Sequence, residues 1–147
     1  MPTIVTDPKV LAAKYIQAFN SHDETTIRSL IAPNARFSAP GDVRLEGRDA
    51  VIGYITSWLK ALPDAKLIVT NEIVSAPWIV QEVTMEGTHT GPLEGPMGTI
   101  QPTHKKVVGK GVQILRIENG KIAEVRIYFD LLDQMTQLGL IPAPATV

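Results

Sequence analysis

Aspartate, glutamate and histidine are the side chains of this chain with acid–base chemistry at hand. A few of them stand where a ligand could meet them. Asp130 follows the run Arg126-Ile127-Tyr128-Phe129 and precedes a segment with helical spacing. An apolar surrounding would raise its affinity for a proton and make it a general acid or base. The same position suits a helix N-cap, where a carboxylate accepts backbone N–H bonds and gives up its proton more readily. His89 lies in Gly87-Thr88-His89-Thr90-Gly91, where a strand-like run enters a stretch rich in glycine and proline. Histidine titrates near neutral pH unaided, so His89 either serves a ligand at a pocket mouth or bonds the loop backbone. His22 reads as part of a helix–helix turn, and His104, beside Lys105 and Lys106, as solvated.

Glu82, Thr84 and Glu86 occupy alternate positions of one run and share a face. In an apolar pocket Glu82 or Glu86 would be a strong base. The alternation with Val83 and Met85 by itself describes a solvated sheet face. Of the large aromatic side chains, Tyr15, Trp58, Trp78, Tyr128 and Phe129 are the ones expected to line a pocket, and Tyr15 and Trp58 would carry a polar handle into it. For each the alternative is core packing. No cysteine is present, and His22, His89 and His104 form no His-x-x-x-His pair. Neither thiolate chemistry nor a zinc site is expected.

The elements that must hold these residues follow from the pattern. Asp7-Pro8 predicts a helix start, and Leu11, Tyr15, Ala18 and Phe19 give that helix one apolar face. Asn20 to Asp23 stops it and caps a second helix, Glu24 to Ile31. Ala35 to Ser38 reads as a short strand and Gly41-Asp42 as a turn. A third helix, Arg48 to Leu62, buries Ile52, Ile55, Leu59 and Leu62. Lys66 to Ser75 and Trp78 to Thr88 read as strands, the second with one slip in its alternation near Gln81. Gly91 to Thr103, with Gly95, Pro96, Gly98 and Pro102, reads as a loop of the length that often forms a lid. His104 to Ile117 and Ile122 to Phe129 flank Asn119-Gly120, a strong hairpin signal. Leu131 to Leu140 is a final helix ahead of a Pro/Ala tail. Helices followed by an antiparallel meander predict an α+β fold, a sheet curled over helices with an apolar pocket at its mouth.

The chain has 147 residues, 44% hydrophobic and 20% charged, with a net charge of -1. That fits one soluble domain. It provides no electrostatic footprint for nucleic acid and no membrane span, and a cytoplasmic location is expected by default.

Gly87-Thr88-His89-Thr90-Gly91 with Pro92-Leu93, the hairpin Leu115 to Ile122, the ending Asp130 … Gln137-Leu138-Gly139, and Ala18-Phe19-Asn20 closing the first helix together resemble the SnoaL-like polyketide cyclases. These are part of the nuclear transport factor 2-like superfamily, with ketosteroid isomerases and limonene-type epoxide hydrolases. The resemblance spans about residues 9–142 of a single domain, 1–147. It implies a cone-shaped α+β barrel, often a homodimer, and cofactor-free acid–base chemistry on a hydrophobic small molecule. The cyclases' catalytic aspartate aligns with Ile127 and their assisting histidine with Gln113. The epoxide hydrolases' aspartate also falls at Ile127, and their arginine and aspartate of an earlier strand near Glu82 and Thr84. The resemblance therefore turns the Glu82–Thr84–Glu86 face toward the pocket, adds Phe19, Gln113 and Ile127 to its lining, and leaves Asp130, His89 and Glu82 as the candidate catalytic groups. Three functions follow: an acid–base enzyme (cyclase, isomerase or hydrolase), a small-molecule binding module without the catalytic pair, or a scaffold with a filled cone.

Overall fold

The computed structural model describes residues 7–95 and 98–142. Helix α1 (Pro8–Asn20) begins as its sequence dictates, with the Asp7 carboxylate accepting the Lys9 N–H at 3.0 Å. A helix of this length is marginal alone. Burial of Leu11, Tyr15 and Phe19, worth roughly 1.5–3 kcal/mol per side chain, fixes it to the sheet. Its last residue adds a second tie. The Asn20 amide donates to the Leu67 carbonyl and accepts from the Leu67 N–H, at 2.9 and 2.7 Å. Helix α2 (Glu24–Leu30), capped by Asp23, leads into β1 (Ile31–Ala39) and β2 (Val43–Glu46), and α3 (Arg48–Ala61) follows.

The rest is largely sheet: β3 (Lys66–Ser75), β4 (Trp78–Thr88), β5 (Leu93–Gly95), β6 (Gly98–Ile100), β7 (Lys106–Glu118) and β8 (Lys121–Phe129), then α4 (Leu131–Gln137). Six strands form one sheet in the order β2-β1-β8-β7-β4-β3. Its inner face carries the core with α1 and α3. The α+β class is as predicted. The wholly antiparallel meander is not, because β1 lies parallel to β8 and makes the sheet mixed. Asn119 and Gly120 both have positive φ, 52° and 73°, the turn that matches strand twist in a two-residue hairpin.

Two further expectations need correction. The stretch between β4 and β7 contains its own two-stranded piece, β5 with β6, and is pinned at its start by the Gly91 N–H on the Ala61 carbonyl. A Cβ at Gly91 would lie 1.9 Å from the Lys60 carbonyl oxygen, so only glycine permits that approach. Pro96 and the Pro/Ala tail from residue 143 onward lie outside the described residues. The irregularity near Gln81 also falls elsewhere. Ile79, Gln81 and Val83 are all buried, so β4 alternates without a slip, and the register shift lies on β3 between Val69 and Asn71. No helix among the described residues is long and apolar enough to cross a membrane.

Candidate functional site

The cone encloses a markedly apolar cavity of about 120 Å³, open at its mouth, and apolar clefts with a few polar groups are where small ligands bind. α1 contributes Tyr15 and Phe19, α3 contributes Tyr54, Ile55 and Trp58, and β1 contributes Phe37. Phe37 stacks obliquely on Tyr54 at 4.8 Å, and Tyr54 meets Trp58 edge-on at 6.5 Å, so one wall is a continuous aromatic surface. Inward positions of the strands supply Val83, Met85, Gln113, Ile127 and Phe129.

Two glycines on β7 give the cavity its space. At Gly109, on the cavity wall, an added Cβ meets nothing within 4 Å. At Gly111 it would stand 2.7 Å from the Tyr128 carbonyl oxygen. The first glycine leaves room, and the second allows β8 to close in.

The lining residues foreseen at Tyr15, Phe19, Trp58, Gln113, Ile127 and Phe129 all face the cavity, as does Asp130. Glu82, Thr84 and Glu86 do not. The inward face of β4 belongs to Gln81, Val83 and Met85, so the intervening residues point out; Glu82 is exposed. For these three the alternation rule holds, and the orientation taken from the resemblance is overturned. Trp78 and Tyr128 also lie on the outer face. Trp78 is covered by the Arg126 and Arg116 guanidinium groups at 5.1 and 5.9 Å from its ring centre, and Tyr128 is exposed.

His89 is buried, but not in the cavity wall. Its Nδ1 accepts the Thr103 N–H at 3.2 Å and lies 3.0 Å from the Thr103 hydroxyl. It holds the start of the β5–β6 segment against the approach to β7. Burial pushes its pKa below the usual 6.5, and the nearby His104 adds to the effect. A depressed folded-state pKa stabilises the protein above the unfolded value, and that stability is lost as pH falls below about 6.5. Thermal unfolding measured from pH 7.5 to 5 will show this loss, at up to about 1.4 kcal/mol per pH unit. In His89→Asn, which keeps an acceptor for Thr103 without the titration, the slope will be flatter. Equal slopes would show that His89 is not the group responsible.

Asp130 does cap α4: its Oδ1 accepts the Asp133 N–H at 2.9 Å. It faces the cavity mouth at the same time, so its two expected roles are not exclusive. Asp133 and Gln134, one turn further along α4, line the cavity with it. Their spacing from Asp130, three and four residues, was the available signal. α4 is held over the mouth by Gln137, whose amide accepts the Val108 N–H and donates to the Val108 carbonyl, both at 2.8 Å. The β7–β8 ladder ends at Gly111 and Phe129, and beyond it a side chain satisfies the β7 backbone.

The titratable groups among the described lining residues are therefore the two tyrosines, Lys110, Asp130 and Asp133. Burial pushes the phenols of Tyr15 and Tyr54 upward, with the Trp58 indole partly opposing this at Tyr54. Both are neutral donors at physiological pH. No group of three His, Asp or Glu side chains among the described residues converges as a metal site.

The SnoaL-like polyketide cyclase family model matches residues 9–138. The nogalonic acid methyl ester cyclase of Streptomyces nogalater is 25% identical over 126 residues, covering 84% of this chain and 91% of that protein. The aklanonic acid methyl ester cyclase of Streptomyces peucetius is 26% identical over 135 residues, covering 88% of each. A Catenulispora acidiphila protein with a ketosteroid isomerase-like fold superposes with a TM-score of 0.73 over 93% of this chain and 97% of its own, at 15% identity, a likeness of fold alone.

Proposed function

Because the chain belongs to the SnoaL-like polyketide cyclase family, we propose that it is a cofactor-free acid–base enzyme acting on a hydrophobic small molecule held in the cone. The observation that carries this reading is the aromatic cavity with a carboxylate, Asp130, at its mouth. The walls suit a flat, largely apolar substrate. The Asp130 oxygen not committed to the helix cap is available for proton transfer. In a ring closure of the intramolecular aldol type, that oxygen removes a proton from an acidic carbon of the substrate. The resulting carbanion forms a C–C bond to a carbonyl carbon of the same molecule, and the proton returns to the new alkoxide. The Tyr15 phenol, protonated at neutral pH and held more firmly so by burial, is suited to donate a hydrogen bond to a developing oxyanion. Isomerisation would use the same base and hydrogen-bond donor, and hydrolysis would add a water molecule for that base to activate.

A second reading, a binding module, has its own supporting observation: Ile127 and Gln113 face the cavity where the resemblance implies an aspartate and a histidine. Turnover and binding measured on panels of polyketides, lactones and epoxides separate the two. Gly109→Leu is the control, since it grows into empty space in the cavity without straining the backbone. It is expected to lower affinity for any cavity ligand at least tenfold with little change in thermal stability. Saturable binding without product across all panels would sink the enzyme. Absence of any binding, or an effect of Gly109→Leu on folding alone, would remove the ligand site as well.

A further inference from the structure

One row of side chains crosses four strands of the sheet. Glu72 on β3 is opposite Gln81 on β4, Gln81 is opposite Gln113 on β7, and Gln113 is opposite Ile127 on β8. Within the row, Gln81 Nε2 donates to Glu72 Oε2 and Gln113 Nε2 donates to Gln81 Oε1, each at 2.8 Å. Gln81 and Gln113 are 1% and 2% exposed, so neither amide has bulk water to satisfy it. Glu72 and Gln81 also line a groove between α1 and β3, outside the cavity, while Gln113 lines the cavity itself. The row thus joins a half-buried carboxylate at the sheet edge to the wall of the ligand site.

A glutamine amide can be turned end for end, so its polarity is set by its neighbours. Here the first member of the row sets it. A carboxylate only accepts, so Gln81 must turn its nitrogen to Glu72. Its oxygen then faces Gln113, which must answer with nitrogen. What remains for the cavity is the carbonyl oxygen of Gln113. Gln134 provides the contrast. It is 5% exposed and lines the same cavity, and its Oε1 has no partner. No carboxylate dictates its sense, so it can turn either end to a ligand.

We propose that Glu72 is a positioning residue that acts through Gln81 to present Gln113 as a hydrogen-bond acceptor, and that the cavity therefore selects an apolar ligand carrying a hydroxyl donor, a phenol, enol or alcohol, against Gln113. This rests on the cavity being a ligand site, as proposed above, and names the chemistry that the site recognises. Ile127, the next member of the row, is apolar and takes no hydrogen bond. Among the described residues the one side-chain hydrogen bond of Gln113 is that to Gln81, so the donor expected at its oxygen is the ligand's.

The test uses three probes of one shape: 2-naphthol, which donates, and 2-methoxynaphthalene and 2-acetylnaphthalene, which only accept. Affinities for the full-length protein are read by calorimetry. The wild type is expected to prefer 2-naphthol about five- to tenfold, the upper part of what one net hydrogen bond gives. In Glu72→Gln, which keeps the shape and frees the row to run either way, the preference should fall to about twofold or less. In Glu72→Lys, a donor at the head of the row, it should reverse in favour of 2-acetylnaphthalene. A structural role for Glu72 would change all three affinities together and leave their ratio alone. A wild type without preference, or a Glu72→Gln variant that keeps it, overturns the proposal while leaving the ligand cavity standing. Failure of all three probes to bind overturns the cavity reading and this one with it. Should Glu72→Lys not fold, Glu72→Gln decides the matter.

Discussion

Asp130→Asn is expected to leave the protein folded and to stop the proposed proton transfer. The two halves of that expectation come from two oxygens of one side chain. One accepts the Asp133 N–H and starts α4. Asparagine caps helices about as well as aspartate, so unfolding free energy should change by no more than about 0.5 kcal/mol. The other oxygen carries the proposed proton transfer, and asparagine cannot hold a transferable proton there. Loss of a general acid or base typically costs about 10²–10⁴ in rate, and kcat should fall by that amount. Asp130→Ala separates the effects from the other side, losing the chemistry and roughly 1 kcal/mol of cap. Asp133→Asn is the neighbouring control: its Oδ2 is engaged by the Gln137 amide at 2.8 Å, so a smaller effect on kcat is expected. Turnover and thermal melts on the three variants decide it. If Asp130→Asn works at the wild-type rate, the carboxylate at the mouth is a cap and nothing more.

How far the residue pattern could be read depended on how local the governing interactions are. The bounds of β3 and β4 follow from runs of β-branched residues broken at Ala76-Pro77, and both agree with the structure. The helix starts at Asp7 and Asp130 follow from capping, which acts within three residues. The burial of Leu11, Tyr15, Ala18 and Phe19 follows from helical spacing. β2 was missed because half its residues are charged and its four-residue span has little pattern to show. The parallel β1–β8 pair joins residues about ninety positions apart, and nothing local signals it. The site divides in the same way. Of its aromatic wall Trp58 is anticipated from residue type, but Phe37 and Tyr54 are not, because nothing local marks an aromatic residue as pocket-lining rather than core or, like Trp78 and Tyr128, outward-facing. The outward turn of Glu82, Thr84 and Glu86 is legible from their alternation with Val83 and Met85, whereas the register implied by the resemblance turns them inward. The Glu72–Gln81–Gln113 row was not legible, because three polar residues on three strands carry no joint pattern until the register aligns them.

Ile127 is where the cavity differs most from what the resemblance implies, and replacing it tests what that difference means. Ile127→Asp puts a carboxyl group among Phe37, Phe129 and the other apolar walls. Burial there should raise its pKa above the ordinary value of about 3.9. The folded state then holds its proton more tightly than the unfolded chain. Relative to the wild type at the same pH, the variant is thus most stable below about pH 4. It loses stability as pH rises to the elevated folded pKa, and then levels off. A deficit of about 2–3 kcal/mol against wild type is expected at pH 8, or roughly 5–10 °C in Tm for a chain of this size, and a clearly smaller one at pH 4. Adding Gln113→His supplies a partner in the directly opposite register position. A histidinium beside the new carboxylate should recover part of the deficit near neutral pH. It would also recreate the aspartate–histidine pair of the cyclases at their aligned positions. If the cone is otherwise competent, the double variant will close rings on polyketide substrates at least tenfold faster than the wild type, and it will do so even with Asp130→Asn in place. If it folds, binds and still turns nothing over, residues 113 and 127 are not what separates this chain from those cyclases.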